Sequence, residues 1–285
     1  MELGIQTLTN VLILASMYIL VSLGFAFLFN MLGFFNIAHS SIYMAAAYFG
    51  YFFMGSLGLN HWVGFIIVIV LIAILGIFLE KFCFRPFLGD FNGQIMICVA
   101  ISVILTTTLN VAVGSRTFMI PALVNGSVGA GAYSITWQRI VAFIIGAAIL
   151  LVVLYFVNRT RWGQQTLAIS QNMEAAALQG INIYRMAAIV CAFGCAMAAV
   201  AGILVGSMYA LSPFMGDNIL MKILALVILA GAGSFKGIFF MGLILGILYA
   251  VLPTVMPGTA SDAIAVVVVC VILLFRPQGF FGHEA

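Results

Sequence analysis

The residues best suited to contact a water-soluble partner lie in one polar segment, residues 159–185 (RTRWGQQTLAISQNMEAAALQGINIYR). The chain has ten Lys and Arg and seven Asp and Glu. Four of these charged residues lie in this segment: Arg159, Arg161, Glu174 and Arg185. Glu174 opens an Ala-rich stretch that Gly180 closes, which predicts a short helix with an acid at its start and a glycine at its end. Such a helix is either a rigid peg that fits a groove on a soluble partner or a plain connector between two spans.

Two clusters of polar side chains interrupt apolar runs and are candidates for a solute pathway. One lies at the start of the second apolar run and the other lies late in the fourth: Asn36, His39, Ser40 and Ser41, then Thr107 and Asn110. Polar groups at these places can satisfy unwound backbone or line a passage through a membrane. The alternative is structural, because histidine is often a hydrogen-bonded core residue and helical threonine bonds its own carbonyls. Both interpretations stay open.

Sequence motifs for catalysis are absent. The chain contains no G-x-x-x-x-G-K-[ST] phosphate loop and no HExxH, CxxC or GxSxG, so the sequence predicts neither ATP hydrolysis by this chain nor a nucleophilic or zinc-dependent enzyme. Cys191 and Cys195 share a helix face without a neighbouring histidine or carboxylate in sequence, which predicts packing and no metal site. Glu80 and Asp262 lie at the ends of apolar runs, and this disfavours a proton-coupled carrier while leaving sodium coupling through carbonyls open.

Composition places these residues in a membrane. Apolar residues make up 65% of the 285 residues and charged residues 6%, whereas a soluble domain carries about 25% charged residues. Each membrane helix needs roughly 20 apolar residues, so the length accommodates about eight. The fold class is therefore all-α, a polytopic transmembrane helical bundle. The net charge of +3 gives no reason to expect nucleic acid as a partner.

Nine apolar runs subdivide the chain, which predicts about eight or nine membrane segments in one transmembrane domain over residues 1–285. Two of the runs, 219–231 and 262–275, are short for a full crossing and are half-helices, re-entrant pieces or extended spans. The first run, Val11 to Phe29, is longer than the core of a signal peptide and predicts an uncleaved first helix. The runs lie at about 9–31, 37–55, 62–84, 94–113, 138–158, 186–211, 219–231, 237–256 and 262–275.

The positions of the basic residues orient the chain. If the polar segment is cytoplasmic and all nine runs cross, most cations fall on the cytoplasmic side, as expected for short-looped membrane proteins. Arg116 and Arg139 then face outward, with the amino terminus outside and the carboxyl terminus inside. The cytoplasmic cations are Lys81, Arg85, Arg159, Arg161, Arg185, Lys236 and Arg276.

Small residues at four-residue intervals predict where helices pack closely. Such residues line one helix face and let two backbones approach in lipid. The structural interpretation, helix packing, is favoured over direct contact with solute. One stripe lies in the sixth run and a shorter one in the eighth: Gly194, Ala198, Gly202 and Gly206, then Gly242 and Gly246.

Several stretches resemble one known family. The E-A-A-x-x-x-G pattern at Glu174–Gly180 resembles the motif by which permeases of ABC importers dock on a cytoplasmic ATPase. Three further stretches are similar to the permeases of branched-chain amino acid importers, in the same order along the chain. They are FFNIAHSSIYMAAAYFGY at 34–51, LALVILAGAGSFKGIFFMGLILGILYAVL at 224–252 and RPQGFFG at 276–282.

The resemblance implies a function and a set of partners. Glu174, Ala175, Ala176 and Gly180 would form the coupling helix, and the chain would translocate branched-chain amino acids or related small solutes by alternating access. Its partners would be cytoplasmic ABC ATPase subunits, a second permease subunit, identical or homologous, and an extracytoplasmic solute-binding protein. The chain would bind no cofactor and be no enzyme, since the ATPase subunits use the ATP. Its location would be the bacterial cytoplasmic (inner) membrane.

The chain also departs from the family pattern. After Gly180 no proline follows until Pro213, and Ile37 and Ser40-Ser41 stand where the family often has phenylalanine and a glycine with an acid. The alternatives are a stand-alone secondary carrier or channel for small solutes, or a sugar-type ABC permease of the same superfamily. An intramembrane enzyme is a further rival, which lacks a paired nucleophile and base. Transport by the purified chain without ATPase or binding protein would select the stand-alone carrier.

Overall fold

The computed structural model describes residues 2–33, 36–114, 116–128, 135–231, 234–256, 258–276 and 279–281. Within this part the chain is helical apart from loops and one short hairpin. The helices are α1 (Glu2–Leu32), α2 (Ala38–Gly50), α3 (His61–Leu79), α4 (Phe91–Val113), α5 (Trp137–Arg159), α6 (Arg161–Gln171), α7 (Met173–Leu178), α8 (Ile183–Gly206), α9 (Met215–Ala230), α10 (Phe235–Val255) and α11 (Gly258–Phe275). The hairpin pairs β1 (Ser127–Val128) with β2 (Ile135–Thr136).

Six helices of the described chain are long and apolar enough to cross a bilayer. They are Thr9–Phe29, His61–Phe87, Phe91–Val113, Trp137–Arg159, Ile183–Gly206 and Lys236–Val255. This confirms the predicted all-α, multi-pass membrane protein. The two runs predicted to be short are short helices: α9 has 16 residues, which at 1.5 Å per residue reach about 24 Å across a core of about 30 Å.

Backbone packing divides the chain into two compact units. One unit comprises residues 1–22, 124–150 and 221–285, and the other comprises 23–123 and 151–220. The prediction of a single permease domain over the whole chain stays a prediction. Both units are built from apolar helices whose close approach depends on small residues.

In the unit of residues 23–123 and 151–220, α8 packs against both α2 and α3. The predicted stripe on α8 packs against α1, α2 and the loop residues Ile120 and Leu211. A Cβ at Gly194 would lie 2.9 Å from the carbonyl oxygen of Gly24, and one at Gly202 would overlap the carbonyl of Tyr43. Ala198 is fully buried, and Gly206 faces the side chains of Ile120 and Leu211. Only small residues allow these backbones to approach so closely.

A π-helical turn, Glu80–Phe84, continues α3 and carries a buried acid. The Glu80 carboxylate accepts two hydrogen bonds from Arg85, from Nε at 3.1 Å and from Nη2 at 2.8 Å. The Arg85 guanidinium also lies 5.0 Å from the ring centroid of Tyr184, at the start of α8. Because a buried carboxylate is costly unless paired and hydrogen-bonded, this bidentate pair is what permits Glu80 to be buried at the end of the span.

The unit of residues 1–22, 124–150 and 221–285 brings α1, α10 and α11 together around Lys222 of α9. The Lys222 ammonium lies 3.6 Å from the Asp262 carboxylate and 4.2 Å from the ring centroid of Tyr249. The second small stripe packs on α1, with Gly242 against Ile19 and Gly246 against Ala15. The charge of Lys222 is thus balanced by a carboxylate and stabilised by an aromatic face.

Candidate functional site

The polar segment folds as two helices, α6 and α7, with a side-chain cap at each helix start. Thr160 Oγ1 accepts a hydrogen bond from the backbone N–H of Gly163 at 3.1 Å. Asn172 Oδ1 accepts one from Ala175 at 2.9 Å, and Asn182 Oδ1 accepts one from Arg185 at 3.0 Å. Each cap satisfies a donor that a helix start leaves without a backbone partner. The polar segment is therefore an ordered structure in which side-chain caps fix where each helix begins.

Helix α7 contains three of the residues predicted to form a peg. Ala176 is buried against the rest of the segment, whereas Glu174 and Ala175 are exposed. The helix ends at Gly180, whose φ is +83°. The N–H of Gly180 donates to the carbonyl of Ala177 at 3.0 Å, and that of Ile181 to the carbonyl of Ala176 at 3.2 Å. This pair of bonds is a Schellman ending, which favours glycine at the left-handed position.

Sequence reasoning missed Leu178, the last residue of α7. It is 90% exposed, the most exposed of the large apolar residues in the polar segment. Together with the exposed Trp162 and Leu167 of α6, Leu178 gives the segment several exposed apolar side chains that a partner could cover. The signal in the sequence was its place two residues before Gly180, on the helix face opposite Ala176.

Helix α6, which the sequence analysis did not predict separately, packs against α7 and has one buried face. Its buried residues are Gly163, Thr166 and Ile169, the three-residue spacing of one helix face. Gly163 lies against the backbone of Phe156 and Val157 at the end of α5, so a larger residue does not fit there. The segment therefore joins α5 and α8 through packed contacts.

A cavity of about 290 Å³ opens where α6 meets the start of α8. Arg161, Trp162, Gly180 and Arg185 are among its lining residues. The Arg185 guanidinium lies 5.5 Å from the ring centroid of Trp162. The described residues that line the cavity include no Asp or Glu. Because the cavity holds two arginines and no acid, a carboxylate from outside the chain could form charge-assisted hydrogen bonds there.

The polar cluster at the start of the second span lies inside the helix core. Asn36, His39, Ser40 and Ser41 are all fully buried. The hydroxyls of Ser41 and Ser102 of α4 share a hydrogen bond of 2.6 Å. Both amide atoms of Asn36 lack a hydrogen-bond partner among the described residues. Their role in a pathway stays a prediction.

His39 and Ser40 are held by neighbours on several helices. The His39 ring meets Phe25 edge-on, with centroids 6.1 Å apart, and lies against Gly24. Ser40 donates to the carbonyl of Ile37 at 3.1 Å, and its own carbonyl would meet a Cβ at Gly216 at 2.8 Å. Through these contacts the cluster packs closely against neighbouring helices.

The second predicted cluster lies apart from the first. Thr107 and Asn110 are exposed on α4 and lie three positions apart, so they share a helix face. Helices α2 and α4, which carry the two clusters, are joined by the hydrogen bond between Ser41 and Ser102, five positions before Thr107 on α4. In the described residues, no group of three or more His, Cys, Asp or Glu lies close enough to hold a metal ion.

Comparisons with known proteins give a consistent result. Residues 7–275 match the family described as branched-chain amino acid transport system / permease component. The chain is 29% identical to the high-affinity branched-chain amino acid transport system permease protein LivH of Escherichia coli (strain K12), over 98% of this chain and 96% of that protein. The permease protein BraD of Pseudomonas aeruginosa gives the same identity and coverage.

A solved structure is also similar to this chain. It is PsaBC from Streptococcus pneumoniae in complex with Fab, with a TM-score of 0.54 and 17% sequence identity. The match covers 95% of this chain and 92% of that chain. At this level of identity the likeness concerns the fold.

Proposed function

The chain belongs to the family of branched-chain amino acid transport system permease components, and we propose that it translocates branched-chain amino acids or related small solutes by alternating access. As a membrane permease subunit of an ABC importer, it would work with a second permease subunit and an external solute-binding protein. Two cytoplasmic ATPase subunits would bind and hydrolyse the ATP. We place the assembly in a bacterial cytoplasmic membrane, with the polar segment inside the cell.

The structural observation that supports this proposal is α7, a short helix that is capped at its start and exposed on one face. Leu178 projects into solvent, while Ala176 on the opposite face is buried. A partner with an apolar groove would cover Leu178 and remove its side chain from water, which is favourable by about 1.5–3 kcal/mol. Glu174 and Ala175 border the same exposed surface, and small alanine allows close approach.

Charge would complement this apolar contact. Arg161 and Arg185 line the neighbouring cavity, so an acidic side chain of the ATPase could form a charge-assisted hydrogen bond there. The combination of one apolar anchor and a basic pocket is typical of an interface centre with a polar rim. The ATPase surface that docks here is therefore expected to pair an apolar groove with an acid.

Force on α7 would reach the spans through packed structure. Helix α6 contacts α7 and α8, and Gly163 lies against the end of α5. Asn182 caps the start of α8 immediately after the segment. Closure of the ATPases on ATP would thus displace α5 and α8 and shift a two-state equilibrium between outward and inward openings. The chain itself would make or break no covalent bond.

The test is uptake by the purified assembly in proteoliposomes. We expect accumulation of radiolabelled leucine only when ATPase subunits, ATP and the binding protein are all present. A sugar such as fructose serves as the control solute and should not accumulate. Leucine transport by the permease chains alone would contradict the proposal, and uptake of the sugar in place of leucine would reassign the solute.

A further inference from the structure

A second cavity, of about 370 Å³, lies in the unit of residues 23–123 and 151–220, between the ends of α2 and α4. We call it the aromatic cavity. One wall comes from the end of α2 and the π-helical turn Tyr51–Ser56 that continues it. The other comes from the end of α4 and the segment that follows. The residues used below are Phe49, Tyr51, Phe52, Leu109, Ala112, Arg116 and Phe118.

The walls of the aromatic cavity are anchored. The Tyr51 and Phe118 rings lie 4.5 Å apart between centroids. The Phe118 carbonyl accepts a hydrogen bond from the N–H of Leu211 at 2.7 Å, and the N–H of Ile120 donates to the carbonyl of Gly206 at 3.0 Å. A π-helical turn such as the one that Tyr51 begins is frequent at functional sites. The cavity is therefore formed before any ligand binds, and its volume is in the range of ligand sites.

The aromatic cavity lies at the end of a membrane span. Helix α4 is one of the six spans and ends at Val113. Leu109 and Ala112, which line the cavity, belong to the last turns of this helix, and Arg116 follows three positions after Val113. At 1.5 Å per helical residue, Leu109 lies about 6 Å deeper along the helix axis than Val113. The lining thus changes from apolar within the span to cationic just beyond it.

Apolar side chains around the cavity are exposed. Phe49 and Phe52 line the cavity and are both exposed, and Val111, next to Ala112 on α4, is 81% exposed. Because lipid tails are as apolar as leucine, apolar side chains at the depth of a span are stable in contact with acyl chains. The cavity is therefore accessible to a ligand that arrives from the bilayer.

The charge of the lining selects the headgroup of such a ligand. The described lining residues include one cation, Arg116, and no Asp or Glu. The ion pairs of the described chain join Arg85 to Glu80 and Lys222 to Asp262, and Arg116 is exposed. Its guanidinium is thus able to donate charge-assisted hydrogen bonds to a phosphate. An ammonium on the same headgroup would find no carboxylate in the lining, so a net negative headgroup fits best.

From this arrangement we propose that the aromatic cavity binds an anionic phospholipid, with the phosphate on Arg116 and an acyl chain along Phe52, Leu109 and Ala112. The order of the lining, cationic beyond the span and apolar within it, matches the order of the lipid from headgroup to tail. In the orientation predicted from the basic residues, the lipid belongs to the outer leaflet. The bound lipid bridges the ends of α2 and α4 and takes no part in recognition of the transported solute.

The test is native mass spectrometry of the purified full-length chain in detergent, titrated with phosphatidylglycerol and, separately, with phosphatidylcholine. We expect phosphatidylglycerol to bind more tightly. Arg116→Gln should weaken its binding about 5-fold, the effect of one basic residue at an anionic membrane surface, and Arg116→Lys should retain most of the affinity. Ala112→Phe fills the apolar part of the cavity and should weaken binding while the cation is still present.

Two matched controls separate the cavity from general effects. Val111→Phe adds the same ring one residue away, at an exposed position that does not line the cavity. Arg139→Gln removes the same charge from a residue that bonds Asn10 and is not part of the lining. Both variants should bind phosphatidylglycerol like wild type.

Four outcomes would overturn the inference. Equal affinity for the two lipids would show that headgroup charge is not recognised, and wild-type binding by both Arg116→Gln and Ala112→Phe would remove the site. Displacement of phosphatidylglycerol by millimolar inorganic phosphate would assign the cavity to a soluble anion. A photoreactive phenylalanine analogue at position 52 should capture lipid in the membrane, and capture of a second permease chain in its place would show that protein covers the cavity. None of these outcomes depends on solute uptake, so the proposed function is tested separately.

Discussion

Replacing Leu178 with alanine isolates the apolar part of the contact proposed between α7 and the ATPase. The side chain is 90% exposed in this chain, so its removal should change the stability of the permease by less than about 0.5 kcal/mol. In a docked assembly the same side chain would be covered. The substitution should thus affect association while leaving the fold intact.

The expected magnitude follows from the atoms removed. Leucine has three more carbons than alanine, and each buried methylene contributes about 0.8 kcal/mol. If the groove covers most of the side chain, the loss is about 2 kcal/mol, or about 30-fold in the dissociation constant. Leu178→Asp should weaken docking further, because the groove would then have to accept a charge.

The assay measures the affinity of purified ATPase for nanodisc-embedded permease by surface plasmon resonance at several ATPase concentrations. Leu57→Ala is the matched control, because Leu57 is 55% exposed and lies far along the chain from the polar segment. We expect Leu57→Ala to bind ATPase like wild type. If Leu178→Ala also binds with wild-type affinity, α7 does not provide the apolar anchor and the reasoning from its exposure is refuted.

Three further substitutions test how the segment and the helix core are built. Gly180→Val places a β-branched residue at φ +83°, a strain of roughly 1–2 kcal/mol, so uptake per inserted molecule should fall while an immunoblot shows normal membrane insertion; normal uptake would contradict this. Asn172→Ala removes the cap on α7, worth about 1 kcal/mol, and should increase hydrogen exchange at its amides, whereas unchanged protection would show that the cap is dispensable. Gly202→Leu would collide with the carbonyl of Tyr43, so monodisperse protein on size exclusion should be largely lost, and a wild-type profile would refute the close packing.

The membrane spans were predictable because apolar runs of about 20 residues have few alternative structures. The nine predicted runs correspond to α1 to α5 and α8 to α11. The π-helical turns at Tyr51–Ser56 and Glu80–Phe84 were not predictable, since a widened turn leaves the apolar pattern unchanged. The ion pair of Lys222 with Asp262 joins residues 40 apart, and no local pattern relates them.

The candidate site was predictable only in part. The acid and alanines of α7, with Gly180 after its end, predicted a short helix, because helix start and stop signals are local. The exposure of Leu178 was missed, since a single leucine carries no periodicity. Asn36 and Thr107 both looked like pathway residues from sequence, yet the first is fully buried and the second exposed. Sequence does not distinguish a polar group packed among helices from one on a surface, because burial depends on neighbours far along the chain.

The most direct test of the account is photocrosslinking from position 174 in living cells. A photoreactive amino acid replaces Glu174, which is exposed on α7, and the cells are irradiated before the membranes are solubilised. If α7 is the docking helix, a crosslink forms with an ATPase subunit, and its yield falls when Leu178→Ala is added. A crosslink to an extracellular protein, or the absence of any crosslink to an ATPase subunit, would contradict the docking role of α7.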